Sequence, residues 1–270
     1  MPIPYDHVDA FTSTPFAGNP AGVCILDAFP SDRTMQQIAA ENRHSETAFV
    51  VPRAGADFDL RWFTPQVEDD LCGHATLASA YVLALRGHDT WPVRFHTQSG
   101  VLTVERDHDS FELDFPAWPP APCDPPPELL PALGLKTAEI LRARDYLVVV
   151  ENTEQVRSLK PNIDALAKLD IGIGGTIVTA PGAGDVDYFV RFFAPSVGVP
   201  EDPATGSIQC TLVPYWSARL GKHKLHARQL SARGGELRCK LAGDRVKIAG
   251  QACLYLQGTI EPDYNVSDKS

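Results

Sequence analysis

The sequence predicts two copies of one α/β unit joined through a proline-rich segment. Three observations lead there. Strand-like and helix-like segments alternate, one stretch recurs at about half the chain length, and prolines crowd near the middle. The chain has 270 residues, enough for one large domain or two small ones. A composition of 44% hydrophobic and 21% charged residues can bury a full core without staples.

Tyr5–Phe11 and Gly22–Leu26 read as strands around a Pro/Gly-rich loop, and Ser31–His44 as a helix with Ser31 in the N-cap role. Glu46–Val51 and Phe58–Phe63 are strand-like. Ala75–Arg86 is an apolar helix that Gly87 closes. Three short strands follow, at Val93–His96, Val101–Arg106 and Phe111–Phe115. From Pro116 to Pro131, eight of sixteen residues are proline, which neither continues a helix nor sits in a central strand. The expected organisation is a first half over 1–117, a linker over 118–131 and a second half over 132–262, whose end returns to the first half. Strands are expected at Tyr146–Val150, Thr176–Ala180 and Asp187–Phe193. A helix starts near Ala204 and runs toward Leu220, with a kink or early stop at Pro214. Three or four short strands lie between Lys224 and Ile260, and the tail after them is expected to fray.

The repeat pairs Arg61-Trp62-Phe63-Thr64-Pro65-Gln66-Val67 with Arg191-Phe192-Phe193-Ala194-Pro195-Ser196-Val197, an offset of 191 − 61 = 130. Each copy leads through an acidic loop and a small-residue turn into an apolar helix. Without gaps, the same offset sets Cys72 opposite Asp202. Each half thereby offers one helix start with unpaired N–H groups and a partial positive charge. Two such starts facing one cleft make a carboxylate site.

Polar groups gather beside these turns. Glu46 opens an apolar strand, where it is either a partly desolvated carboxyl suited to proton transfer or a solvated residue. His74, after Cys72-Gly73, reads as an acid/base, a substrate donor or a cap. Cys72 reads as a nucleophile activated by a helix start or as an inert thiol. Asp202 caps the following helix, pairs with His74 or accepts from the substrate, and Gly206 and Ser207 offer main-chain N–H groups to an anion.

Other chemistries are disfavoured. The net charge of −10 speaks against nucleic acid and anionic membranes as partners. No apolar stretch approaches membrane-spanning length, and the start carries no signal-peptide pattern, so a cytoplasmic location is expected. The six cysteines form no CxxC and are expected to be reduced. GxSxG, HExxH, PCxxC, P-loop and GxGxxG signatures are missing.

Four blocks carry a family resemblance. They are Asp9–Thr12 with Phe16–Val23, Asn42–Val51, Arg61–Pro65 with Asp70–Thr76, and Glu201–Ser207. In these the chain resembles the PhzF-like family, named for the isomerase of phenazine biosynthesis, which shares the diaminopimelate epimerase fold. The resemblance implies an α+β architecture: two similar domains, each a curved, mostly antiparallel or mixed sheet around a central helix, with the site between them. It implies no metal, no organic cofactor and a homodimer. It implies a cofactor-independent isomerase that moves a proton between carbons of a small carboxylate-bearing metabolite. Glu46 matches the proton-moving glutamate, and His74 and Asp202 match the residues that position and protonate the substrate. Gly73, Gly206 and Ser207 match the groups that hold its carboxylate, and Asn19 and Ser45 are expected at the substrate as well. Related epimerases use two facing cysteines; Cys72 fits the first place, while the repeat puts Asp202 at the second. After Ser207 many relatives read Ala-His, whereas Ile208-Gln209 stands here, a change expected to bear on the substrate pocket. The competing readings are a racemase, epimerase or lyase in the same cleft, or a catalytically silent scaffold on this fold.

Overall fold

A computed structural model describes residues 2–53, 55–171 and 174–261. The first half runs β1 (Ile3–Ala10), β2 (Asn19–Ile25), α1 (Asp32–Asn42), β3 (Glu46–Pro52), β4 (Phe58–Phe63), a two-residue β5 (Glu68–Asp69), α2 (Gly73–Leu85), β6 (Val93–Thr97), β7 (Gly100–Asp107) and β8 (Ser110–Pro116). β2 and β3 pair in parallel, β3 and β4 antiparallel, β4 and β6 in parallel, and β6, β7 and β8 follow as antiparallel neighbours. α2 lies inside this curved sheet. It is apolar all round, and ten of its thirteen residues are buried, as expected for a helix wrapped on every side. Its run of Ala, Ser and Thr lets the strands come close. α1 is one-sided: Met35, Ile38 and Ala39 cover Phe49 and Phe63 on the outer face of the sheet. The Ser31 hydroxyl accepts from the Thr34 amide at 3.1 Å, a cap worth about 1 kcal/mol.

The second half runs β9 (Ala121–Pro122), α3 (Leu129–Leu133), β10 (Glu139–Arg142), β11 (Tyr146–Val149), α4 (Thr153–Arg157), α5 (Ile163–Ala167), β12 (Thr176–Pro181), β13 (Tyr188–Ala194), a 3-10 turn at Pro195–Val197, β14 (Val199–Asp202), α6 (Gln209–Leu220), β15 (Lys224–Gln229), β16 (Gly235–Ala242) and β17 (Arg245–Ile260). The pairing order of the first half recurs. β11 and β12 are parallel, β12 and β13 antiparallel, β13 and β15 parallel, and β15, β16 and β17 antiparallel. α6 takes the place of α2. The repeated arginines do the same work twice. Arg61 grips Glu68 through two bonds of 2.7 Å and lies over Phe63, and Arg191 grips Glu201 at 2.7 and 2.8 Å and lies over Phe193.

β17 joins the halves. Arg245–Ala249 pairs with β16 on one side and Arg245–Gln251 with β8 on the other, and Ala252–Ile260 pairs with β1. The three or four short strands expected after Lys224 are therefore three, and the last has sixteen residues. The frayed tail expected after them falls largely outside the described residues.

Two expectations about proline fail. Pro131 sits inside the short helix α3. Pro214 does not stop α6, which continues to Leu220 and ends on Gly221 at φ 66°. A proline at 214 cannot donate to the Cys210 carbonyl. Here the Trp118 amide donates to that carbonyl instead, at 2.8 Å, from the extended proline-rich segment. The carbonyl that the proline leaves without a helical donor is thus satisfied by another segment of the same chain, and the helix continues past it.

Candidate active site

α2 and α6 begin against one another. A Cβ on Gly73 would stand 3.0 Å from the Gly206 Cα, and one on Gly206 would stand 3.1 Å from the Gly73 Cα. Only two glycines allow this approach. A cavity of about 320 Å³ opens beside them, and Glu46, Cys72, Gly73, His74, Asp202, Gly206 and Ser207 all face it. Its volume suits a small metabolite.

β3 begins with Glu46, and this places the carboxyl at the end of a buried strand. The His74 Nε2 lies 3.2 Å from Glu46 Oε2, and the Cys72 Sγ lies 3.5 Å from His74 Nδ1. Burial holds the Glu46 carboxyl well above the usual range, and the Asp69 and Asp202 carboxylates push the same way. Burial lowers His74 to about 3, so its ring is neutral, and burial raises the Cys72 thiol well above its usual value. A helix start does not make a thiolate at Cys72, because desolvation outweighs it.

Asp202 is braced from three sides. Its Oδ1 accepts from Asn19 Nδ2 at 2.8 Å and from Ser45 Oγ at 3.1 Å, and Thr205 Oγ1 donates to Oδ2. Burial still raises its pKa against these donors. Asn19 and Ser45, expected at the substrate, stand behind Asp202 instead. The second amide hydrogen of Asn19 is held by the Ala204 carbonyl at 2.9 Å, so none is left for a ligand.

The repeat needs a shifted register. Trp62 pairs with Asp69 and Phe192 pairs with Asp202. Asp69 is therefore the mate of Asp202, Cys72 of Thr205, and Gly73 of Gly206. The expected opposition of Cys72 and Asp202 is corrected by three residues, because the second copy carries the 3-10 turn and Gly198 before β14. The same logic applies one strand earlier. Thr47 pairs with Phe63 and Thr176 with Phe193, so the mate of Glu46 is Gly175. A Cβ there would meet the Phe192 ring at 2.5 Å. One half carries the carboxyl and the other fills its place with an aromatic ring.

Sequence reasoning missed several residues. Asp69 lines the cavity and is raised to about 6 by burial, with Arg144 opposing. Arg144 crosses between the halves to Asp70 at 3.0 Å. Gln229 donates to the Asp202 carbonyl at 2.6 Å and accepts from the Thr205 amide at 2.9 Å. Ile208 and Gln209 do not line the cavity as expected. Ile208 is in the core, and Gln209 accepts from Tyr188 and donates to the Thr205 carbonyl at 3.1 Å. Only the repeat register could have revealed Asp69; the others depend on folding.

The architecture defines the class first. A hydroxyproline epimerase from Agrobacterium vitis, 12% identical, overlays with a TM-score of 0.64 over 96% of this chain and 92% of its own, a likeness of fold alone. A family model described as phenazine biosynthesis-like protein matches residues 8–258. The chain belongs to this PhzF family, with the diaminopimelate epimerase-like fold. A PhzF-family crystal structure from Enterococcus faecalis is 43% identical, with a TM-score of 0.91 over 97% of this chain and 100% of its own. A Pseudomonas aeruginosa protein named as an uncharacterized isomerase is 53% identical, over 94% of this chain and 96% of that one. These relatives support an isomerase role. No helix among the described residues is long and apolar enough to cross a membrane.

Proposed function

We propose that the protein is an isomerase that shifts a proton between carbons of a small carboxylate-bearing metabolite, with Glu46 both taking the proton and returning it. The asymmetry of the repeat at Glu46 and Cys72 carries this reading: the mate of Glu46 is Gly175 and that of Cys72 is Thr205. Inverting a centre with two bases needs a second proton donor on the opposite face, and neither mate is one at ordinary pH. A carboxyl whose repeat mate is a glycine suits removal and return of a proton on one face.

The substrate carboxylate is held by main-chain N–H groups of Gly73, Gly206 and Ser207 at the two helix starts. The ionised Glu46 removes a proton from carbon, and negative charge develops toward the helix starts, which stabilise it without reorganising. Neutral His74 orients the substrate beside Glu46, and Asp202, braced by Asn19, Ser45 and Thr205, fixes a second polar contact. Glu46 then returns the proton to another carbon. These steps use only groups of this chain. Acid–base transfer of this kind contributes about 10²–10⁴-fold.

The test is deuterium incorporation from D2O into small carboxylic and amino acids that stabilise the protein in a thermal-shift screen. Glu46→Gln should keep ligand stabilisation and lose exchange by at least about a hundredfold. Exchange at the wild-type rate in this variant would remove Glu46 from the mechanism, and exchange lost equally in Cys72→Ser would favour a thiol-based epimerase.

A further inference from the structure

We propose that Glu46, Cys72 and His74 form a capture site for a thiophilic divalent cation, zinc(II) above all. The inference stands on donor geometry and does not rest on the isomerase reading. One donor atom from each of the three residues lies within 4.8 Å of the other two, and all three residues are buried. A second observation points into the same space. His74 Nε2 is buried without a hydrogen-bond partner among the described residues, because its 3.2 Å approach to Glu46 Oε2 is misaligned. A buried ring nitrogen without a partner is costly, and a metal ion would relieve it.

The donor set selects the ion. Thiolate, imidazole and carboxylate together suit zinc and cobalt(II), whereas magnesium takes oxygen donors. Metal–sulfur bonds of about 2.3 Å and metal–nitrogen or –oxygen bonds of about 2.0–2.2 Å put tetrahedral donors roughly 3.4–3.7 Å apart. With Nε2 as the single imidazole donor, its separation of 3.2 Å from Glu46 Oε2 comes within a few tenths of an ångström of this. All three residues line the cavity, from which a water or a substrate carboxylate would complete the shell. As the sulfur–metal and oxygen–metal bonds form, the thiol proton and the carboxyl proton leave to solvent. A thiolate and a carboxylate then neutralise the two positive charges, and no net charge is left buried. A site loaded in this way holds Glu46 in coordination, so on the isomerase reading alone the cation would also block the base.

The test uses the reduced full chain and cobalt(II) as probe. One equivalent should give thiolate-to-cobalt absorption with intense tetrahedral visible bands, displaced by zinc and untouched by magnesium. Cys72→Ser should lose the thiolate absorption, Cys210→Ser should keep it, and Glu46→Gln should weaken cobalt binding at least about tenfold. X-ray absorption on the zinc-loaded wild type gives an answer that no variant's folding can disturb: one sulfur with two or three nitrogen or oxygen neighbours is expected. A shell without sulfur, a shell with two or more, or cobalt absorption that survives in folded Cys72→Ser would overturn the site and leave an adventitious ion only.

Discussion

Glu46 and Asp69 are two carboxyls in one cavity, both raised by burial, and each makes a different demand on pH. As the base, Glu46 must be ionised before substrate binds. The rate constant kcat/KM should therefore rise with pH through its elevated pKa and level off well above the pH at which a free glutamate would. A profile already flat at pH 5 would contradict this. Asp69 bears on stability. Its folded pKa of about 6 lies above the 3.8 of a free aspartate, so the folded state holds a proton that the unfolded state releases between these values. Its contribution is fully present below pH 3.8 and lost as pH rises through about 6. Asp69→Asn keeps an acceptor for the Asp70 amide and removes the titration. Denaturant melts at pH 4 and pH 8 should show about 1–3 kcal/mol less loss of stability on going to pH 8 than in wild type. Patterning marked Glu46, His74 and Asp202 as candidates with structural readings equally open, and the family resemblance singled them out; the fold brings all three to one cavity. Asn19, Ser45 and Gln229 were not legible in their actual role, because bracing Asp202 depends on segments far apart in sequence meeting in space.

At the scale of elements, α6 depends on a bond that its own sequence does not contain. The Trp118 amide supplies what Pro214 lacks. Trp118→Pro removes that donor and leaves the Cys210 carbonyl buried without a partner. It should cost about 1–3 kcal/mol more than Trp118→Ala in urea unfolding. Pro214→Ala restores an intrahelical donor and should recover part of this loss, giving a coupling energy in the double-mutant cycle. Independent, additive effects would contradict the account. Strand and helix periodicity located most elements, and β4 is found over the expected residues, Phe58–Phe63. The short α3, α4 and α5 escaped, since five residues are too few to display a helical period. The register of the repeat escaped too, because an ungapped offset cannot see an insertion ahead of β14.

For the whole molecule, the repeat was legible and its union was not. The resemblance between the halves is local in sequence, but β17 couples them through pairing with β16, β8 and β1 at once. Neither sheet is complete without it. Calorimetry should therefore record one unfolding transition, with calorimetric and van't Hoff enthalpies in agreement. Two resolved transitions would mean that each half stands alone.

β17 also imposes an order in time. The partners of β1 lie between 242 residues away, for Ala10 and Ala252, and 257 residues away, for Ile3 and Ile260. At roughly 5–20 residues per second, a ribosome needs some tens of seconds to deliver them. During that interval the nascent chain presents the open edges of β1 and β8 to every other strand in its surroundings. A newly made copy is thus most vulnerable to mispairing before the far end of its own sequence emerges, and slowing translation late in the message should lower the yield of soluble protein more than slowing it early.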